Sequence, residues 1–164
     1  MPKLFVGAWL PPKVQRVLAD YPRPSQGDLR WSTPSQWLVN IRPLGDVAAA
    51  LIPGLVDALE RDLDGAPKVK ASFGPVYREG WLMAPVLGLD DLRDVVFEAT
   101  EELVPLVIRR PWNVGLVLAR GKATKELVQP LPAAWTVDRV CLAKATRTKD
   151  GPGYDDIETF ALGA

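Results

Sequence analysis

The chain has 164 residues, with 20 Lys plus Arg against 20 Asp plus Glu, no histidine and one cysteine. That length predicts one domain with its own hydrophobic core, and the balanced charge provides no overall basic field to draw in nucleic acid. One cysteine excludes an internal disulfide, the lack of histidine removes the side chain whose ordinary pKa lies nearest 7, and no apolar run nears the roughly 18 residues of a membrane span. A soluble, cytoplasmic protein is expected, with no membrane partner and a monomer as the default state.

Residues 3–10 alternate, with Leu4, Val6 and Ala8 on one face, and read as a strand. Pro11 and Pro12 stop it and suit the first turn of a helix, whose apolar stripe is Val14, Val17, Leu18 and Tyr21. Pro22, Pro24 and Gly27 then open a loop into residues 31–45, W-S-T-P-S-Q-W-L-V-N-I-R-P-L-G. Residues 37–41 are apolar except for Asn40, the pattern of a buried strand. Alternation puts Val39 and Ile41 on one face and Leu38, Asn40 and Arg42 on the other. Asp46 is the expected cap of a helix carrying Leu55, Val56, Leu59 and Leu63, with Pro53 suited to its first turn.

Residues 68–74 read as a half-buried strand with Val69, Ala71 and Phe73 on one face. Residues 80–86 are its expected hairpin partner, across a turn at Arg78 and Glu79. Leu92, Val95, Val96, Ala99 and Leu103 make a helical stripe behind Asp90 and Asp91, which suit the positive end of a helix; Pro105 ends it. Residues 111–120, P-W-N-V-G-L-V-L-A-R, repeat the form of the first buried stretch. Here Leu116 and Leu118 take one face, and Gly115, Val117 and Ala119 the other. Residues 135–146 are expected to form one strand with a bulge between Val137 and Val140, where the apolar parity shifts. Cys141 within it reads as a small buried hydrophobe. A turn at Asp150, Gly151, Pro152 and Gly153 leads to a last strand over residues 154–162. Hairpins mixed with helices predict an α+β fold.

The two matching stretches resemble the paired signature strands of the 2H phosphoesterase superfamily, in particular the bacterial 2',5' RNA ligase or RNA 2',3'-cyclic phosphodiesterase family. Members of that family carry two His-x-Thr motifs, inside W-x-P-P-x-x-x-H-x-T-x-x-F-L-G and R-P-x-x-P-H-x-T-L-A-R. In the first frame Leu38 stands at the histidine position and Asn40 at the threonine position; in the second, Gly115 and Val117 stand there. K-L-F-V-G-A-W-L-P-P, W-T-V-D-R-V and Y-D-D-I-E-T-F-A-L fit as well, so the resemblance spans nearly the whole chain. It implies one two-lobed domain over residues 1–164. Each lobe would be an antiparallel sheet backed by helices, related by a pseudo-twofold axis, with one signature strand from each lining a central cleft.

The family chemistry that this resemblance implies uses two histidines as general acid and base and two hydroxyls to hold the phosphate. Leu, Gly and Val transfer no proton, and Asn only hydrogen-bonds. No catalytic residue is therefore expected, and the leading expectation is a degenerate homologue that binds a nucleotide or RNA end without family-type catalysis. A protein-interaction module on the same scaffold and a phosphoesterase of changed mechanism are the alternatives. Candidate ligand-binding residues are Asn40, Arg42, Arg120, Lys122 and Trp112. Arg42 and Arg120 follow the two motifs and are treated as symmetric partners on one phosphate, which arginine matches with paired hydrogen bonds. Trp112, like Trp31 and Trp37, offers a ring for a base. Each has an ordinary alternative: a backbone-satisfied amide, a surface arginine, a core tryptophan. Asp155, Asp156 and Glu158 do not compose a metal site without histidine or cysteine beside them, and neither metal nor cofactor is expected.

Overall fold

The structure is a computed structural model that describes residues 1–23, 29–105, 114–149 and 151–163. The described residues form, in chain order, β1 (Lys3–Trp9), α1 (Pro12–Ala19), β2 (Arg30–Trp31), β3 (Leu38–Asp46), α2 (Ile52–Leu63), β4 (Val69–Phe73), β5 (Tyr77–Glu79), β6 (Trp81–Leu87), α3 (Asp90–Thr100), β7 (Gly115–Arg120), β8 (Ala134–Val137), β9 (Arg139–Thr148) and β10 (Gly151–Ala161). The strands lie in the order β10-β9-β1-β3-β7-β6-β4-β8, with β2 added to β7 and β5 to β6. The fold is α+β, a curled antiparallel sheet with helices packed on it. One lobe holds β1, β3, β9 and β10, the other β4 to β8. They meet where Asn40 of β3 pairs with Gly115 of β7.

The helices form where the apolar stripes predict them. Val14 and Leu18 are the buried face of α1, Leu55, Leu59 and Leu63 that of α2, and Leu92, Val96 and Ala99 that of α3. Full burial of one such leucine contributes roughly 1.5–3 kcal/mol. These side chains join Val39, Ile41, Leu116 and Leu118 in one hydrophobic core behind the sheet. Tyr21 closes α1 onto the far lobe: its hydroxyl donates to the Leu127 carbonyl at 2.5 Å and accepts from the Gln129 N–H at 2.8 Å. Burial raises the Tyr21 pKa, with the Gln129 N–H pulling the other way.

Three sequence expectations change. Asp46 caps no helix; it is the last residue of β3 and pairs with Lys3, and α2 starts only at Ile52, with Pro53 in its first turn. The hairpin turn lies at Gly80, not at Arg78 and Glu79, which belong to β5. Gly80 has φ +75°, a left-handed conformation that glycine adopts without strain. The parity shift between Val137 and Val140 is no bulge. The chain leaves one lobe there and enters the other: β8 pairs with β4, and β9 pairs with β1 and β10. No helix among the described residues is long and apolar enough to cross a membrane.

Candidate ligand-binding cleft

Both signature strands bulge at equivalent positions, and β3 has a second bulge further on, at Leu44. In β3 the residues opposite β1 run from Asn40, facing Gly7, to Arg42, facing Val6, so Ile41 is the extra residue. In β7 the residues opposite β6 run from Val117, facing Met83, to Ala119, facing Leu82, so Leu118 is extra. A bulge reverses which face the later side chains take. Leu38, Asn40 and then Pro43 therefore face the cleft, as do Gly115, Val117 and then Arg120. Arg42 and Ala119 turn inward, at 1% and 0% exposure.

This removes Arg42 from the cleft. Its guanidinium donates to Thr100 Oγ1 and, at 2.6 Å, to the Val104 carbonyl. It lies over the Phe97 ring, 4.8 Å from the centroid. Burial pushes its pKa down, partly offset by the charge of Glu101. Arg42 thus fastens β3 to the C-terminal end of α3, the negative end of a helix dipole. The sequence spacing agrees: Arg42 comes four residues after Leu38, whereas Arg120 comes five after Gly115. The equivalent of Arg120 in the first lobe is Pro43, and the two arginines are not symmetric partners.

All four motif positions line one cavity of about 200 Å³ between the lobes. The register that pairs Asn40 with Gly115 sets Leu38 across from Val117. Leu38 packs against Cys141 and Ala143, with Phe5, Trp9 and Tyr154 around them. Burial and then the charge of Asp156 raise the Cys141 pKa well above its ordinary value, so it stays a thiol at neutral pH and offers no nucleophile. Gly115 sits against β6 so closely that a Cβ would fall 2.4 Å from the Ala84 carbonyl oxygen. Asn40 Oδ1 is buried and has no hydrogen-bond partner.

Two arginines face this cavity. Arg120 lies on its wall, and Arg30 lines it too. They are direct cross-strand partners, Arg30 on β2 opposite Arg120 on β7. Ser32 holds that segment in place: its N–H and Oγ both bond the Leu118 carbonyl, at 2.9 and 3.1 Å. No carboxylate is among the described residues that line the cavity. The ion pairs of the described residues join Arg61 to Asp62, Arg93 to Asp90 and Arg139 to Asp138, and so involve neither arginine of the cleft.

The remaining sequence candidates divide. Lys122 is exposed beyond the end of β7 and does not line the cavity. Trp112 lies outside the described residues. Trp31 lines the cavity but packs against Tyr21, with ring centroids 6.0 Å apart, and under the Arg23 guanidinium at 5.5 Å. Trp37 is core, its Nε1–H donating to Ser32 Oγ at 2.8 Å. Sequence reasoning missed Arg30, because only its pairing with a residue far along the chain brings it to the site. No group of three or more Cys, Asp or Glu gathers to hold a metal among the described residues.

No protein-family model matches the chain, and no curated protein matches it. Solved structures do. TT0787 of Thermus thermophilus is 23% identical, with a TM-score of 0.81 over 98% of this chain and 97% of that one. Escherichia coli LigT, solved with 3'-AMP, is 18% identical, with a TM-score of 0.79 over 99% of each chain. A phosphoesterase that is 16% identical superposes with a TM-score of 0.77 over 100% of both. LigT has also been solved with NADP+, ATP and phosphate. At these identities the likeness establishes architecture alone: the chain has the two-lobed fold of LigT and these other structures.

Proposed function

We propose that this protein binds a nucleotide or RNA end by its phosphate, in the cleft between the lobes, without hydrolysing it by a two-histidine mechanism. The observation that carries this reading is the Arg30–Arg120 pair. Like charges directly opposite on paired strands destabilise a sheet, and here they share a cavity with no carboxylate among its described lining residues. A bound phosphate would offset that repulsion and accept charge-assisted hydrogen bonds from both. Asn40 adds an unsatisfied acceptor, Oδ1, on the cavity lining, suited to a ribose hydroxyl rather than to the phosphate. The LigT structures with 3'-AMP, ATP and phosphate support the same class of ligand.

Two results are expected. The first concerns binding. Arg120→Ala and Arg30→Ala each weaken binding of 3'-AMP by roughly tenfold or more, the size of a charge-assisted hydrogen bond of about 1.5–3 kcal/mol, and wild-type affinity falls as salt rises. Removing either arginine leaves the melting temperature of the ligand-free protein unchanged or higher, since the like-charge pair is gone. Calorimetric titration and thermal melts of the three proteins test this. Equal, salt-independent affinity in all three would overturn the arginine site, and no binding by wild type would move the reading to a protein-interaction module.

The second result concerns chemistry. Purified protein is expected to show no turnover of a nucleoside 2',3'-cyclic phosphate and no 2',5' ligation. A single general acid or base contributes roughly 100- to 10,000-fold, and Leu38 and Gly115 supply neither. Turnover that copurifies with the protein through repeated chromatography would revive a changed mechanism.

A further inference from the structure

We propose that Trp81 is the platform on which the base of the bound nucleotide stacks, outside the cavity; this rests on the nucleotide reading above. A cavity of about 200 Å³ is smaller than the roughly 300–1,000 Å³ of pockets that enclose a drug-sized ligand. It holds a phosphate and part of a sugar, and the base must rest on the surface beside it. Along β6 the buried residues Leu82, Ala84 and Val86, at 0%, 1% and 5% exposure, alternate with Trp81, Met83 and Pro85. Met83 lines the cavity, so Trp81 stands on the same strand face, at the rim.

Trp81 is 45% exposed, one of few large apolar side chains left in the open. The other described tryptophans are engaged. Trp31 packs against Tyr21 and Arg23. Trp37 and Trp135 are buried. Trp9 donates its Nε1–H to Asp156 at 2.8 Å and meets Tyr154 edge-on.

Arg120 links the two halves of the site. It lines the cavity, and its guanidinium lies over the Trp81 ring, 5.3 Å from the centroid. A guanidinium held over a ring keeps its N–H donors along its edge. Arg120 can therefore bond a phosphate in the cavity while it steadies the indole for a base.

The test titrates 3'-AMP and ribose 5-phosphate against wild type, Trp81→Ala and Trp81→Phe by calorimetry. Wild type is expected to prefer 3'-AMP by about tenfold, the contribution of one stacked base. Trp81→Ala should erase that preference and leave ribose 5-phosphate binding unchanged, and Trp81→Phe should restore part of it. If Trp81→Ala binds 3'-AMP as well as wild type, or weakens both probes equally, the platform is wrong while the nucleotide reading stands. If wild type binds neither probe, both fall.

Discussion

A histidine placed at residue 115 is expected to destabilise the protein by about 3 kcal/mol and to restore no chemistry. The Cβ at that position would fall 2.4 Å from the Ala84 carbonyl oxygen and 3.0 Å from Pro85 Cα. Both are backbone atoms of the neighbouring strand, so no side-chain rotation relieves the contact. Overpacking of this kind costs roughly 1–3 kcal/mol and occasionally more. For a chain of this size each 1 kcal/mol lowers the melting temperature by about 2–4 °C, so Gly115→His should melt roughly 6–12 °C below wild type. Leu38→His is the informative companion. It sets an imidazole among Cys141, Ala143 and Trp9, where Leu38 is 1% exposed. Desolvation disfavours its charged form. The combined Leu38→His/Gly115→His variant should therefore still lack cyclic phosphodiesterase activity. A Gly115→His protein that melts with wild type would show that β6 yields, and turnover by the double variant would show that the letters alone had been missing.

Arg42→Ala is expected to be as damaging to stability and silent in binding. The side chain is 1% exposed and donates to Thr100 Oγ1 and the Val104 carbonyl. Truncation leaves a cavity beneath α3 and strands the Val104 carbonyl without its donor, at about 1–3 kcal/mol for the unsatisfied group alone. With the lost packing the total is about 3 kcal/mol or more, again roughly 6–12 °C in melting temperature. Arg42→Lys keeps the charge but not the fork that reaches two acceptors, and should fall between. Folded Arg42→Ala, titrated well below its melting point, should bind 3'-AMP as wild type does. Arg120→Ala should show the opposite pattern, with binding weakened roughly tenfold or more and stability kept. If Arg42→Ala melted normally and lost the ligand, the assignment of Arg42 to the core would be wrong.

Much of the architecture can be read from local pattern. Period and punctuation suffice for α1, α2 and α3, since a stripe such as Leu92, Val96 and Ala99 has one face to bury. The two frames around residues 38 and 115 identify the strands that meet at the cleft, and the motif positions within them do line it. The like-charged pair and the bulges are different in kind. Ile41 and Leu118 are apolar whichever face they take, so nothing in their neighbourhood marks them as extra residues. Only the registers against β1 and β6 do so. Those registers decide that Arg42 enters the core and Arg120 the cleft, the reverse of simple alternation. The same holds at Asp138, where one apparent strand divides between two lobes, and at Arg30, which meets Arg120 only through the β2–β7 ladder. Side-chain periodicity records which residues share a face within an element, because that follows from backbone geometry over a few residues. Which face looks into the cleft depends on pairing with strands far away in the chain, and that pairing is settled only when the whole sheet closes.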